Sequence, residues 1–129
     1  MRILNYPAIL LFTAVLLAGY MPASSAEDIS AAELEQQLTA NTAPLILDVR
    51  SADEYDAGHL PTAINIPHTE VADRQTELPD NLDTEIIIYC RSGRRAAMAQ
   101  ATLEEAGFSN VRHLEGDFLG WQEAGLAVN

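Results

Sequence analysis

Short apolar runs alternate with stretches of helical spacing along this chain, and the two patterns divide it cleanly. Leu45-Ile46-Leu47-Asp48-Val49, Ala63-Ile64-Asn65-Ile66, Glu85 to Tyr89 and Val111-Arg112-His113-Leu114 are too short for helices and are bounded by turn residues, Pro61 and Pro67 among them. They predict buried strands. Ser30-Ala31-Ala32-Glu33 is a capping box that predicts a helix burying Leu34 and Leu38 and ending near Asn41. Ser51-Ala52-Asp53-Glu54 predicts a second, shorter helix stopped by Gly58. A weaker, polar helical stretch is expected from His68 to about Leu78. Another helix runs from about Arg95 to Ala106 with Gly107 beyond its end, and a last one covers Asp117 to Ala124 around Trp121. Continuously apolar strands separated by helices predict an α/β fold, a central parallel sheet with helices on both faces. Such sheets bind ligands at the carboxyl ends of their strands.

The amino-terminal segment reads as an address. Met1-Arg2 supplies a minimal positive start, Ala8 to Gly19 an apolar stretch, and Ser24-Ser25-Ala26 the small residues of a cleavage site. The apolar run is short of the ~20 residues that span a bilayer. Residues 1–26 are therefore expected to be a cleaved signal peptide. Residues 27–129 then form one domain, periplasmic or secreted, with no membrane attachment after cleavage. A single cysteine forms no internal disulfide, and in an oxidising compartment it points to a reactive thiol.

That cysteine stands where an apolar strand stops and an alanine-rich helix begins, in Tyr89-Cys90-Arg91-Ser92-Gly93-Arg94-Arg95-Ala96. Backbone N–H groups of such a turn, together with the positive end of the helix, favour an anion and hence the thiolate. The net charge is −12, yet three of the seven basic residues, all arginines, lie within five positions of one sulfur. Long-range repulsion argues against nucleic acid or an anionic membrane as partner, while a small anion is captured locally. Cys90 is the candidate nucleophile. Arg91, Ser92, Gly93, Arg94 and Arg95 are the candidate substrate-binding residues.

With these segments in order, the chain resembles the single-domain rhodanese-like sulfurtransferases. Leu47-Asp48-Val49-Arg50, Glu54-Tyr55 and Gly58-His59-Leu60-Pro61-Thr62-Ala63-Ile64-Asn65-Ile66-Pro67 are similar to that family's two amino-terminal signatures. Cys90 to Arg95 is similar to its six-residue active loop, and Gly107-Phe108, Val111, Leu114, Gly116 and Trp121 to its carboxyl-terminal pattern. The layout most resembles the periplasmic phage-shock-protein E type. The resemblance implies a rhodanese-like domain that moves a sulfane sulfur from an anionic donor such as thiosulfate, through a Cys90 persulfide, to a thiol or cyanide. It implies no metal and no organic cofactor. Two departures stand out: Arg95 and Ala96 replace the Ser or Thr common at the loop's end, and Gly116-Asp117 replaces a Gly-Gly pair.

Two other functions share this architecture. Phosphatases and arsenate reductases related to the rhodanese-like domains carry a longer Cys-x5-Arg loop, which would place an arginine at residue 96, where this chain has alanine. A non-catalytic module that carries sulfur or binds a partner is the remaining class. Outside the loop, Asp48 and Arg50 are read chiefly as a scaffold ion pair, His59 as a turn residue and Trp121 as core. His68 and His113 lack partners at metal-ligand spacing. Glu33, Glu35, Asp53, Glu54 and Asp56 are read as a solubilising acidic face.

Overall fold

The computed structural model describes residues 26–129, so the expected signal peptide lies outside the described residues but for Ala26. Four strands, β1 (Leu45–Asp48), β2 (Ile64–Asn65), β3 (Ile86–Tyr89) and β4 (Val111–His113), form one parallel sheet in the order β2-β1-β3-β4. Ile29 adds a single parallel bridge to Leu114, beyond β4. Helices α1 (Ala31–Thr39), α2 (Ala52–Ala57), α3 (Arg94–Glu105) and α4 (Asp117–Glu123) follow the strand pattern. The α/β expectation, with helices on both faces, is met.

Strand alternation sorts the apolar residues into two cores. Leu47, Val49, Ile86, Ile88 and Cys90 face α3, where Ala96 and Ala99 are small enough to bring the helix close to the sheet and Leu103 completes the contact. Ile46, Ile87 and Tyr89 face the opposite way, onto Leu34 of α1 and Phe118 and Trp121 of α4. Each fully buried aliphatic side chain contributes ~1.5–3 kcal/mol, so both faces of the strands stabilise the fold. Trp121 is core as expected, its indole Nε1 donating to the Ala127 carbonyl at 3.0 Å.

The amino-terminal capping signals act unequally. Ser51 and Glu54 form the reciprocal box, whereas Ser30 accepts only from the Glu33 N–H. Leu38, expected in the core, is only partly buried. The helix expected over His68 to Leu78 is replaced by two 3₁₀ turns, His68–Glu70 and Gln75–Glu77. In that stretch only Val71 and Leu78 are buried, and the positions between them on the same helical face are the polar Arg74 and Gln75, so no continuous apolar stripe forms. Pro79 also turns Leu78 to extended backbone, with ψ 159°. Among the described residues no helix is long and apolar enough to cross a membrane.

Candidate active site

The carboxyl ends of β1 and β3 are adjacent, because Asp48 pairs with Tyr89 in the parallel register. Cys90 follows directly from β3, with its side chain on the α3 face. The chain then turns through Arg91 and Ser92, both exposed, and Gly93 begins α3. Gly93 has φ +113°, and a Cβ there would lie 3.0 Å from Asp117 Oδ2, so glycine is required for both conformation and space. This bend directs the Gly93 N–H to Cys90 Sγ at 3.0 Å. The sulfur thus sits at the amino end of a helix of 12 residues and accepts a backbone hydrogen bond, two features that favour its anionic forms.

The floor of the loop is the start of α4. Phe118 and Leu119 donate their N–H groups to the carbonyls of Cys90 and Arg91 at 3.0 and 3.2 Å. Asp117 Oδ1 accepts the Cys90 N–H at 3.0 Å and a bond from His113 Nε2 at 2.9 Å. Asp117 is buried and has φ +53°, in the left-handed region that asparagine and aspartate tolerate better than most residues. The hydrogen bond to Asp117 outweighs burial and raises the His113 pKa above its ordinary value.

Beside the loop, at the end of β1, Asp48 and Arg50 form a buried ion pair at 2.7 Å. Asp48 also accepts the Arg50 N–H at 2.9 Å and the Tyr89 hydroxyl at 2.7 Å, while Tyr89 in turn accepts the Leu60 N–H. Arg50 Nη2 also donates to the Gly58 carbonyl, and the guanidinium lies 4.0 Å from the Phe118 ring centroid. Burial, then the neighbouring Asp48 charge, pushes the Tyr89 phenol above its usual range, so it remains a neutral donor. The scaffold reading of Asp48 and Arg50 agrees with this network, from whose edge Arg50 also reaches the cavity beside Arg91.

The loop arginines separate. Arg95 places two nitrogens on Glu54 of α2 at 2.7 and 3.0 Å, a bidentate pair that, helped by the Ser51 cap, pulls the Glu54 carboxyl down to about 2. Glu54 is therefore a strut between α2 and the loop and not part of a merely solubilising face. Arg94 is exposed. Arg91 lines an open cavity of about 300 Å³ with Arg50, Glu54, Gly58, Phe118 and Gln122. Cys90 is 1% exposed and lies immediately before the residue on that cavity's rim.

Three residues bear on the site in ways the sequence reading did not assign. His113, noted only for lacking metal-ligand company, is joined to Asp117, and Glu54 to Arg95. Asp117 had a visible signal, its place in the position of the second glycine of a Gly-Gly pair, and its positive φ explains why glycine suits that position. His59 is the expected turn residue: its Nδ1 lies 2.8 Å from the Tyr55 carbonyl and its ring stacks on Tyr55. Among the described residues no three His, Cys, Asp or Glu side chains gather in a way that would hold a metal ion.

The family model described as rhodanese-like domain matches residues 30–124. A sulfurtransferase of Allochromatium vinosum is 33% identical over 101 residues, covering 78% of this chain and 92% of its own. The thiosulfate sulfurtransferase PspE of Escherichia coli is 39% identical over 71 residues, covering 54% of this chain and 67% of its own. Among solved structures, a rhodanese-related protein of Thermoplasma volcanium superposes with a TM-score of 0.69 at 29% identity, over 80% of this chain and 97% of its own. The chain spans about half the length of several other curated relatives, 52% in the case of a putative sulfur carrier protein of Bacillus subtilis.

Proposed function

The chain belongs to the rhodanese-like family, and we propose that it is an exported sulfurtransferase that carries a sulfane sulfur on Cys90. The observation that carries the reading is the Gly93 N–H directed at Cys90 Sγ, at the carboxyl end of a parallel strand and the amino end of α3. The Cys90 thiolate attacks the outer sulfur of thiosulfate. One S–S bond forms to Cys90 as the donor's S–S bond breaks, and its electron pair leaves with sulfite. A thiol or cyanide then attacks the terminal persulfide sulfur and restores the thiolate. Thiolate and persulfide are both anionic, so the same backbone donor and helix end stabilise the two states.

Arg91 and Arg94, exposed on either side of Ser92 and Gly93, are suited to receive the donor's sulfonate, and Arg95 acts mainly by fixing the loop against Glu54. A phosphoryl substrate fits poorly, because the sixth residue after Cys90 is the buried Ala96, where an oxyanion cradle would need arginine. No cofactor enters the reaction, and the amino-terminal sequence pattern supports export to the periplasm or the exterior.

The test is to incubate the protein with thiosulfate alone. Sulfite release with a gain of ~32 Da, one sulfur atom, localised to Cys90 is expected of the covalent route. Cys90→Ala should show neither while keeping its fold. Sulfite released only when acceptor is present, with no adduct, would overturn the persulfide.

A further inference from the structure

The buried Asp117 carboxylate is an unexpected neighbour for an anionic sulfur. It accepts the Cys90 N–H at 3.0 Å, and its other oxygen is 3.0 Å from the position that a Gly93 Cβ would occupy, so it lies directly beneath the loop. A buried negative charge bonded to the backbone of Cys90 opposes a thiolate or persulfide on the same residue. The structure also contains the remedy. His113 Nε2 bonds the same Oδ1 at 2.9 Å, and because a carboxylate only accepts, Nε2 carries the hydrogen. The position that a Gly93 Cβ would take is 3.5 Å from His113 Cε1, which puts the imidazole against the loop as well.

We propose that His113 and Asp117 are a positioning pair for the Cys90 loop, in which Asp117 holds the Cys90 N–H and the imidazolium of His113 offsets the carboxylate's charge beside the sulfur. The pair rests on Cys90 as the sulfur-bearing residue and extends that reading. The bond to Asp117 raises the His113 pKa from its ordinary value against the effect of burial, and Asp28, on the segment leading to Ile29, acts in the same direction as Asp117. At the start of α3, Arg95 is tied to Glu54, which is the main reason its guanidinium holds its proton more firmly, with Cys90 and Asp48 contributing less. Asp117 opens α4 and His113 ends β4, so the pair also joins two elements beneath the loop. Loss of the His113 proton leaves the carboxylate unbalanced and makes the sulfur less reactive.

The experiment follows Cys90 alkylation by iodoacetamide at about pH 5, where histidine is charged, relative to about pH 9, where a thiol is largely ionised. His113→Gln keeps an amide donor for Asp117 but carries no charge. It should lower the pH 5 to pH 9 rate ratio roughly three- to tenfold, the effect of a nearby unit charge lost. Asp117→Asn keeps an acceptor for the Cys90 N–H without its charge and should raise that ratio. In the same variant the His113 ring, followed by NMR, should titrate closer to the ordinary histidine value. A purely structural pair would not produce opposite signs. Ratios that stay at the wild-type value, or that move in the same direction, overturn the proposal. If His113→Gln does not fold, the sign in Asp117→Asn decides. Thiosulfate loading of the wild type separates the two claims. Opposite shifts without a persulfide adduct would sink the sulfurtransferase reading alone, while an adduct without opposite shifts would sink the pairing alone.

Discussion

Adjacent parallel strands end in two charged regions that were built to different rules. At the end of β1, Asp48, Arg50 and Tyr89 are buried and bond one another: Asp48 receives Arg50 and Tyr89, Tyr89 receives Leu60, and Arg50 reaches Gly58. At the end of β3, Cys90 sits in a turn whose sulfur, among the described residues, meets only the Gly93 N–H, while Arg91 and Arg94 are exposed. In a low-dielectric interior, donors and acceptors that bond one another hold geometry, and the guanidinium that Arg50 presents to the cavity is already paired with Asp48. Open donors and exposed cations at a strand's carboxyl end are available to an anion. Charge alone therefore does not mark the site; unanswered charge does.

The comparison breaks most visibly at Asp48. Asp48→Ala removes the partner of a guanidinium that is 3% exposed, and an abandoned buried charge costs ~3–5 kcal/mol. Urea unfolding at neutral pH should register that loss, and a change below about 1 kcal/mol would show that Arg50 finds another partner or reaches water. Gly93→Ala should come next, at ~1–3 kcal/mol, since it adds a Cβ at φ +113° and 3.0 Å from Asp117 Oδ2. It should also slow persulfide formation by turning the Gly93 N–H away from the sulfur. Loss of stability with unchanged loading would separate the backbone bend from the chemistry.

Legibility in the sequence follows the same division. The strands, the extent of α3 and the position of Cys90 were readable because continuous apolar runs and a lone cysteine at a strand-to-helix junction are local signals. Residues 68–78 were misread because their helical polarity lacked the second apolar contact per turn that makes a helix pack; only Val71 and Leu78 reach the core. The Arg95–Glu54 strut and the His113–Asp117 pair were not readable as contacts. Each joins separate elements, and spacing along the chain does not encode which helix end lies beneath which loop. Asp117 was still visible as a departure from a Gly-Gly pair. Such a departure identifies a position that backbone conformation constrains before it identifies what the side chain does there.

The arginines sharpen the comparison on the scale of a single hydrogen bond. Arg91→Ala should reduce kcat/KM for thiosulfate by about ten- to a hundredfold, the ~1.5–3 kcal/mol of a charge-assisted bond, while unfolding free energy moves by less than about 0.5 kcal/mol. Steady-state kinetics over a range of thiosulfate concentrations checks the first number and urea titration the second. A variant with wild-type kinetics would move donor recognition away from the rim of the cavity. Arg91→Lys should recover part of the loss, because a point charge cannot reproduce a planar fork on a sulfonate.

Arg95→Ala should show the smaller and differently placed effect of a strut. The Glu54 carboxyl is held at about 2 against an ordinary 4.5, chiefly by its bonds to Arg95. A depressed carboxyl contributes stability that is fully present above the unfolded value of 4.5 and disappears as pH falls toward about 2. The pair is roughly one-third exposed on each side, so screening by water limits its contribution to ~0.5–1 kcal/mol. Unfolding midpoints of wild type and Arg95→Ala should therefore differ at pH 7 and converge between pH 4.5 and about 2. A gap that persists unchanged at acid pH would mean that Arg95 stabilises the loop through packing of its stem and not through Glu54. Thiosulfate kinetics at neutral pH should fall less in this variant than in Arg91→Ala, because Arg95 has both nitrogens nearest the pair committed to Glu54 while Arg91 faces the open cavity.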